Sequence, residues 1–264
     1  MKRMLRRVAV IAVVLLAVLA LHKQVKKESA ASSAEEDVAA LGSISVMSEK
    51  NGVKLGTLEA DPEGGVKISV QRDEGLFTYT FRDVAIDSWY ADAVNFVVSA
   101  RLMTGAGEDP YFQPEYGMDR ESFAAILYRF AGGSKEEPQY HFDDVAEDKW
   151  YYDIISWVVN RRLMTGLEPN LFGVGQYMTC EHAIIGLYRL AGSPETDGSL
   201  AGYPYAMKVS DASRSAIDWA WKNGLITEVE CVWYPTQAIS RGQVALLLTR
   251  YSRMAGAANQ AEEA

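Results

Sequence analysis

FRDVAIDSWY ADAVNFVVSA RLMTGAGEDP YFQPEYGMDR ESFAAILYRF AG, residues 81–132, decides how the chain is read, because its landmarks return twice. They are Phe81-Arg82-Asp83-Val84, Trp89-Tyr90, Leu102-Met103-Thr104-Gly105, Phe112 with Pro114, Met118-Asp119-Arg120-Glu121, and Ile126 to Gly132. The second copy runs Phe142-Asp143-Asp144-Val145, Trp150-Tyr151, Leu163-Met164-Thr165-Gly166, Phe172, Met178-Thr179-Cys180-Glu181 and Gly186 to Gly192. Phe81 to Phe142 is 61 positions, and Met118 to Met178 is 60. The third copy has Ala216 to Ala220, Gly224-Leu225-Ile226-Thr227, Trp233-Tyr234-Pro235, Ile239-Ser240-Arg241-Gly242-Gln243 and Leu246 to Tyr251, and Met178 to Ile239 is again 61. Its aromatic-Asp-Val start is unrecognisable, and Ala212 and Ser213 stand where the others have Trp-Tyr. A fixed period of this kind marks an array of one supersecondary unit.

Each unit reads as two helices joined by a Gly/Pro loop. In the first, Ala93, Val94, Val97 and Val98 line one side of a helix over about 90–101, with Asp87 or Ser88 as its N-cap. Gly105, Gly107, Pro110, Pro114 and Gly117 then break helix. After Asp119, the residues Phe123, Ile126, Leu127 and Phe130 fall at i, i+3, i+4 and i+7, one apolar stripe that stops at Gly132. One such unit cannot bury both stripes, whereas three packed around a common centre can. The expected fold is therefore mainly α. It has three pseudo-repeats of two helices each (81–133, 140–193 and 203–254) around a central helical bundle, and a disordered tail over 255–264.

Working outward, Val53-Lys54-Leu55 and Val66-Lys67-Ile68-Ser69-Val70 alternate, and Asn51-Gly52 and Pro62-Glu63-Gly64-Gly65 supply turns. This predicts a small β-hairpin element over 44–80. Residues 28–43 are Ser-, Ala- and acid-rich and read as a flexible linker. Residues 1–27 join basic Lys2 to Arg7 to an apolar run, Val8 to Leu21, expected as an N-terminal apolar helix. The run is short for a span, and Lys23, Lys26 and Lys27 follow it at once, so a cleaved signal peptide and an uncleaved signal anchor both stand. Either places the remainder outside the cytoplasmic membrane.

Seven of the 26 basic residues lie in that first stretch, which has no acidic residue. The remaining 19 face 35 acidic ones, leaving a body near −16. So acidic a body argues against nucleic acid as partner. Cys180 and Cys231 have no CxxC spacing and no histidine pattern around them, so no metal site is expected. A disulfide between them suits an extracellular setting, and spacing leaves open whether they approach. His22, His141 and His182 pair with no nucleophile, and Gly173-Val174-Gly175 is not a dinucleotide loop. No enzyme activity and no cofactor are expected.

The landmarks resemble the S-layer homology family in order, spacing and copy number over about residues 81–251. That resemblance implies a three-pronged pseudo-trimer around a helix bundle. It also implies non-covalent attachment to the bacterial cell wall, through secondary cell-wall polysaccharide, often pyruvylated, held in grooves between units. It points to Arg120, Arg241, Asp83, Trp89, Tyr90, Asp144 and Trp150 as the polysaccharide-binding residues. The residues themselves leave choices open. A cation at the first helical position, as at Arg120 and Arg241, opposes the helix dipole. Such an arginine either joins free N–H groups in an anion site or pairs with an acid of a neighbouring unit. Asp83 is a sugar acceptor or a turn cap. Trp89 and Trp150 stack a sugar or, the preferred reading, pack in the core. Asp119, Thr179 and the Ser240–Gln243 pair read as helix caps, and Arg129, Arg189 and Arg250 as structural last-turn cations. Cys180 replaces the arginine in unit two. The alternative to wall binding is a structural or protein-interaction module of the cell envelope. It would be anchored in the membrane through residues 8–21, with repeats too worn to bind polymer.

Overall fold

The computed structural model describes residues 53–105 and 110–262. The signal or anchor segment, the linker, the Asn51-Gly52 turn and the first part of the expected β element lie outside the described residues. Three antiparallel strands come first: β1 (Thr57–Ala60), β2 (Val66–Arg72) and β3 (Gly75–Phe81), in the order β1-β2-β3. Thr57 pairs with Ser69, and Val66 with Phe81. Val66, Ile68 and Val70 of the central strand are buried while Lys67 is exposed, the period-two pattern of a sheet with one face on the core. The β1–β2 turn needs glycine at Gly65, which has φ +81, and a Cβ there would lie 2.1 Å from the Phe81 carbonyl oxygen.

Six α-helices follow: α1 (Ala91–Ser99), α2 (Arg120–Phe130), α3 (Tyr152–Asn160), α4 (Cys180–Leu190), α5 (Arg214–Lys222) and α6 (Arg241–Glu262). The sheet is fastened to α1. The Gly56 amide donates to Ser99 Oγ at 2.9 Å, and Asn95 Nδ2 donates to the Gly56 carbonyl at 2.9 Å. The expected caps at Asp87 or Ser88 are not used. Tyr90 and Tyr151 are the N-caps of α1 and α3 without a side-chain bond, and the Ala91 amide is satisfied by the Ser88 carbonyl. The second helix of each unit is capped as its sequence suggests. Asp119 accepts from Ser122 N at 2.7 Å, Thr179 accepts from His182 N at 3.3 Å, and Ser240 and Gln243 form a reciprocal box. Helix α6 runs on to Glu262, through residues expected as a tail.

The expectation of a mainly α fold is corrected. Helices cover well under half of the described residues, and a three-stranded sheet is bonded to α1. Strands and helices are combined in one fold, and the expected N-terminal apolar helix lies outside the described residues. Short helices leave much of the chain in loops, and those loops carry backbone hydrogen bonds between units. Helix α1 packs on α6, α3 on α2 and α5 on α4, so each unit's first helix leans on another unit's second.

Candidate functional site

Three backbone hydrogen bonds at equivalent positions close the units into a ring. Met118 N donates to the Ile239 carbonyl (2.9 Å), Ile239 N to Met178 (2.9 Å), and Met178 N to Met118 (2.8 Å). The first amide of each second helix is also taken. Arg120 N donates to Gln176 O, Cys180 N to Gln237 O, and Arg241 N to Tyr116 O, each at 2.9 Å. These N–H groups, left unpaired by any isolated helix, are satisfied by the loop of another unit. The helix-start anion site considered from sequence needs them free, so at these first-turn amides it does not exist.

The arginines beside them are clamps between units. Arg120 is 3% exposed. Its Nε donates to the Phe172 carbonyl (2.8 Å), its Nη2 to the Thr165 carbonyl (2.6 Å), and its guanidinium lies 4.8 Å from the Phe172 ring centroid. Arg241 repeats this on unit one, with Nε to Phe112 O (2.9 Å), Nη2 to Thr104 O (2.8 Å) and the Phe112 ring at 4.9 Å. The oxygen acceptors are all backbone carbonyls, and Arg120 Nη1 adds a bond to Met178 Sδ at 3.6 Å, so neither arginine makes the acid pair weighed from sequence. Burial pulls both guanidinium pKa values down against nearby acids that raise them, Asp144 and Glu121 for Arg120, Asp119 and Asp83 for Arg241.

The third interface is built differently. Cys180 is too short to clamp, and the Trp233 carbonyl, equivalent to those of Phe112 and Phe172, instead accepts from the Tyr203 hydroxyl. Tyr203 lies 61 positions after Phe142. It is the start aromatic that the sequence did not reveal, with a hydroxyl added where the guanidinium is lost. Tyr203→Phe is expected to lower stability by about 1 kcal/mol in denaturant melts, and an unchanged midpoint would contradict this role.

Asp83 and Asp144 are loop holders. Asp83 accepts from the Phe112 and Gln113 amides at 2.8 and 2.6 Å, and Asp144 from those of Phe172, Gly173 and Val174 at 2.8, 2.6 and 2.8 Å. Burial works to raise the Asp144 pKa, but the amides of Val174, Phe172 and Gly173 outweigh it and hold the carboxyl below its ordinary 3.8. A depressed folded pKa adds stability above the unfolded value, about pH 4, and loses it as pH falls through the folded pKa. The melting temperature should drop as pH is lowered from about 5 to 3, with a shallower slope in Asp144→Asn. Equal slopes would contradict it.

The two tryptophans part company. Trp89 is half-buried with Tyr90 against α6, where a Cβ on Gly242 would sit 3.4 Å from each ring. Trp150 is 59% exposed, so core packing does not describe it. It stands instead on a groove of about 420 Å³, lined also by Asp119, Arg129, Arg241, Tyr116 and Tyr177. All three units contribute to it. Tyr116 and Tyr177 are each 62% exposed. Arg129 donates to the Leu102 carbonyl (3.1 Å), as a structural cation would, yet its exposed side chain is also a groove wall. Gln113, another lining residue, is held at φ +60, where unit two has Gly173. Sequence reasoning missed Arg129, Gln113, Tyr116 and Tyr177 as groove residues, because helix position explains the first and only the closed ring brings the rest together.

At matching positions of the other units the set is broken. Beside α4 the aromatic is Ala212, and beside α6 the clamp is Cys180. Arg250, equivalent to Arg129, is there paired with Glu230. The groove at α2 alone combines clamp, last-turn arginine, acidic cap and exposed tryptophan. Among the described residues no group of three or more His, Cys, Asp or Glu is placed to hold a metal. No helix among them is long and apolar enough to cross a membrane.

The S-layer homology domain model matches residues 80–124 and 141–183, within the first two of these loop-clamped units. These two stretches are S-layer homology domains. The chain is also 26% identical over 172 residues to the Surface-layer 125 kDa protein of Lysinibacillus sphaericus, covering 62% of this chain and 14% of that protein. It is 23% identical over 196 residues to Exoglucanase XynX of Acetivibrio thermocellus, covering 72% and 17%. The chain thus spans under a fifth of the length of either relative. The third unit lies outside both matched stretches and is tied to them by its place in the ring.

Proposed function

We propose that this protein is held non-covalently on the bacterial cell wall by binding secondary cell-wall polysaccharide in the groove at α2. The observation that carries the reading is the joint placement of exposed Trp150, Tyr116 and Tyr177 with Arg129 and Arg241 in one polar groove. Aromatic faces suit the apolar faces of sugar rings, and two guanidinium groups suit a carboxylate such as a pyruvyl ketal. Asp119 accepts a backbone amide with one oxygen and lines the groove, which offers an acceptor for sugar hydroxyls. Trp89, Tyr90, Asp83, Asp144 and Arg120 support this groove and its counterparts by holding loops and interfaces.

The test is co-sedimentation of the full chain with purified sacculi, before and after chemical stripping of the secondary polymer. Binding that disappears on stripping supports the reading. Binding that survives stripping, or no binding at all, removes it in favour of a protein-interaction role. Arg129→Gln should weaken retention several-fold, by roughly 1–2 kcal/mol, and lower the melting temperature only slightly, through loss of its bond to the Leu102 carbonyl.

A further inference from the structure

Two of the three interfaces between units are closed by an arginine fork, and the third has a cysteine in that place and a second cysteine on the loop the fork would hold. Arg120 and Arg241 reach carbonyls of a Thr (Thr165, Thr104) and an aromatic (Phe172, Phe112) on the facing loop. The equivalent pair on the third loop is Thr227 and Trp233, and Cys231 lies between them. The start of α4 is pinned to the same loop, with Cys180 N on Gln237 O and Glu181 N on Pro235 O, both at 2.9 Å. Both cysteines are free thiols in the structure, Cys180 buried and Cys231 partly exposed with its Sγ 4.0 Å from Gln243 Nε2. We infer that Cys180 and Cys231 form an intrachain disulfide that closes the interface where the arginine clamp is missing.

Burial, and then the charge of Cys231, push the Cys180 thiol up to about 12, and burial pushes Cys231 up to about 11. Both are protonated at neutral pH, so closure proceeds by exchange with a disulfide oxidant, either a thiol-oxidising protein or a small disulfide. The thiolate of the more accessible Cys231 attacks one sulfur of the oxidant, forming a mixed disulfide and releasing one thiolate. Cys180 then gives up its proton and attacks the Cys231 sulfur, releasing the second. Two cysteine thiols are oxidised and one oxidant disulfide is reduced to two thiols. The bond links residues 51 positions apart and restricts the unfolded chain accordingly. It is independent of whether the groove at α2 binds polymer.

The experiment exposes the natively folded full chain to oxidised glutathione, quenches it in denaturant with a maleimide reagent, and maps peptides without reduction. The expected result is a monomer with no modifiable thiol, a linked peptide containing Cys180 and Cys231, and a melting temperature that reduction lowers by about 5–10 °C. Cys231→Ser, at the partly exposed position, should fold and melt at the same temperature with or without reductant. Two modifiable thiols, glutathione adducts in place of the linked peptide, or a disulfide-linked dimer would each overturn the inference.

Discussion

Arg120→Ala is expected to lower the melting temperature by roughly 10 °C, a loss of about 3–5 kcal/mol. The substitution removes a buried guanidinium, two hydrogen bonds to backbone carbonyls and a contact with the Phe172 ring. It leaves the Phe172 and Thr165 carbonyls without that donor, and an unsatisfied buried group costs the full desolvation penalty. Arg120→Lys keeps the charge without the planar fork and should recover only part of the loss. Thermal melts of the three chains decide the matter. An alanine variant melting within a degree or two of the parent would mean the clamp is not structural. Any fall in wall binding by Arg120→Ala is accordingly secondary to unfolding, so it does not locate the ligand.

Trp150→Ala carries the second large effect, in the opposite observable. Its side chain is 59% exposed and faces the groove, so truncation should leave the melting temperature almost unchanged. An aromatic anchor buried only on binding contributes on the order of 2 kcal/mol, so retention on polymer-bearing sacculi should fall about 30-fold. Trp89→Ala should do the reverse, destabilising the fold through its packing on α6. Equal retention by Trp150→Ala and parent would remove this groove as the binding site, even with attachment intact. The pair of tryptophans is therefore more informative than the pair of arginines that the sequence singled out.

Much of the local structure was legible in the chain itself. The spacing of Phe123, Ile126, Leu127 and Phe130 defines the buried face of α2, and Asp119, Thr179 and Ser240 with Gln243 announce their caps, because those signals act within one or two turns. The alternation in Val66 to Val70 likewise marks the central strand. The mainly α expectation failed because repeats and stripes report helices. They say little of loops whose hydrogen bonds are made to residues 50 or more positions away, such as Gly175 N to Glu121. The sequence offers Asp83 as a sugar acceptor or a turn cap and Asp144 as a sugar contact, whereas both carboxylates accept from amides 28–30 positions away on the Phe112 and Phe172 loops.

What the sequence by itself determined was the unit, its period and the chemistry of its caps, since each rests on contacts between near neighbours along the chain. What only the tertiary structure decided was the use of the recurring polar groups in each copy of the motif. Arg120 and Arg241 give Nε and one Nη to backbone carbonyls of another unit, Tyr203 stands where a guanidinium is lost, and Trp150 is exposed where the equivalent Trp89 is half-buried. Those outcomes depend on which residue of another unit stands opposite, such as Gly242 against Trp89 and Tyr90, or Phe172 against Arg120 on the loop. Ring closure brings such partners together from across the chain, and no local pattern records them.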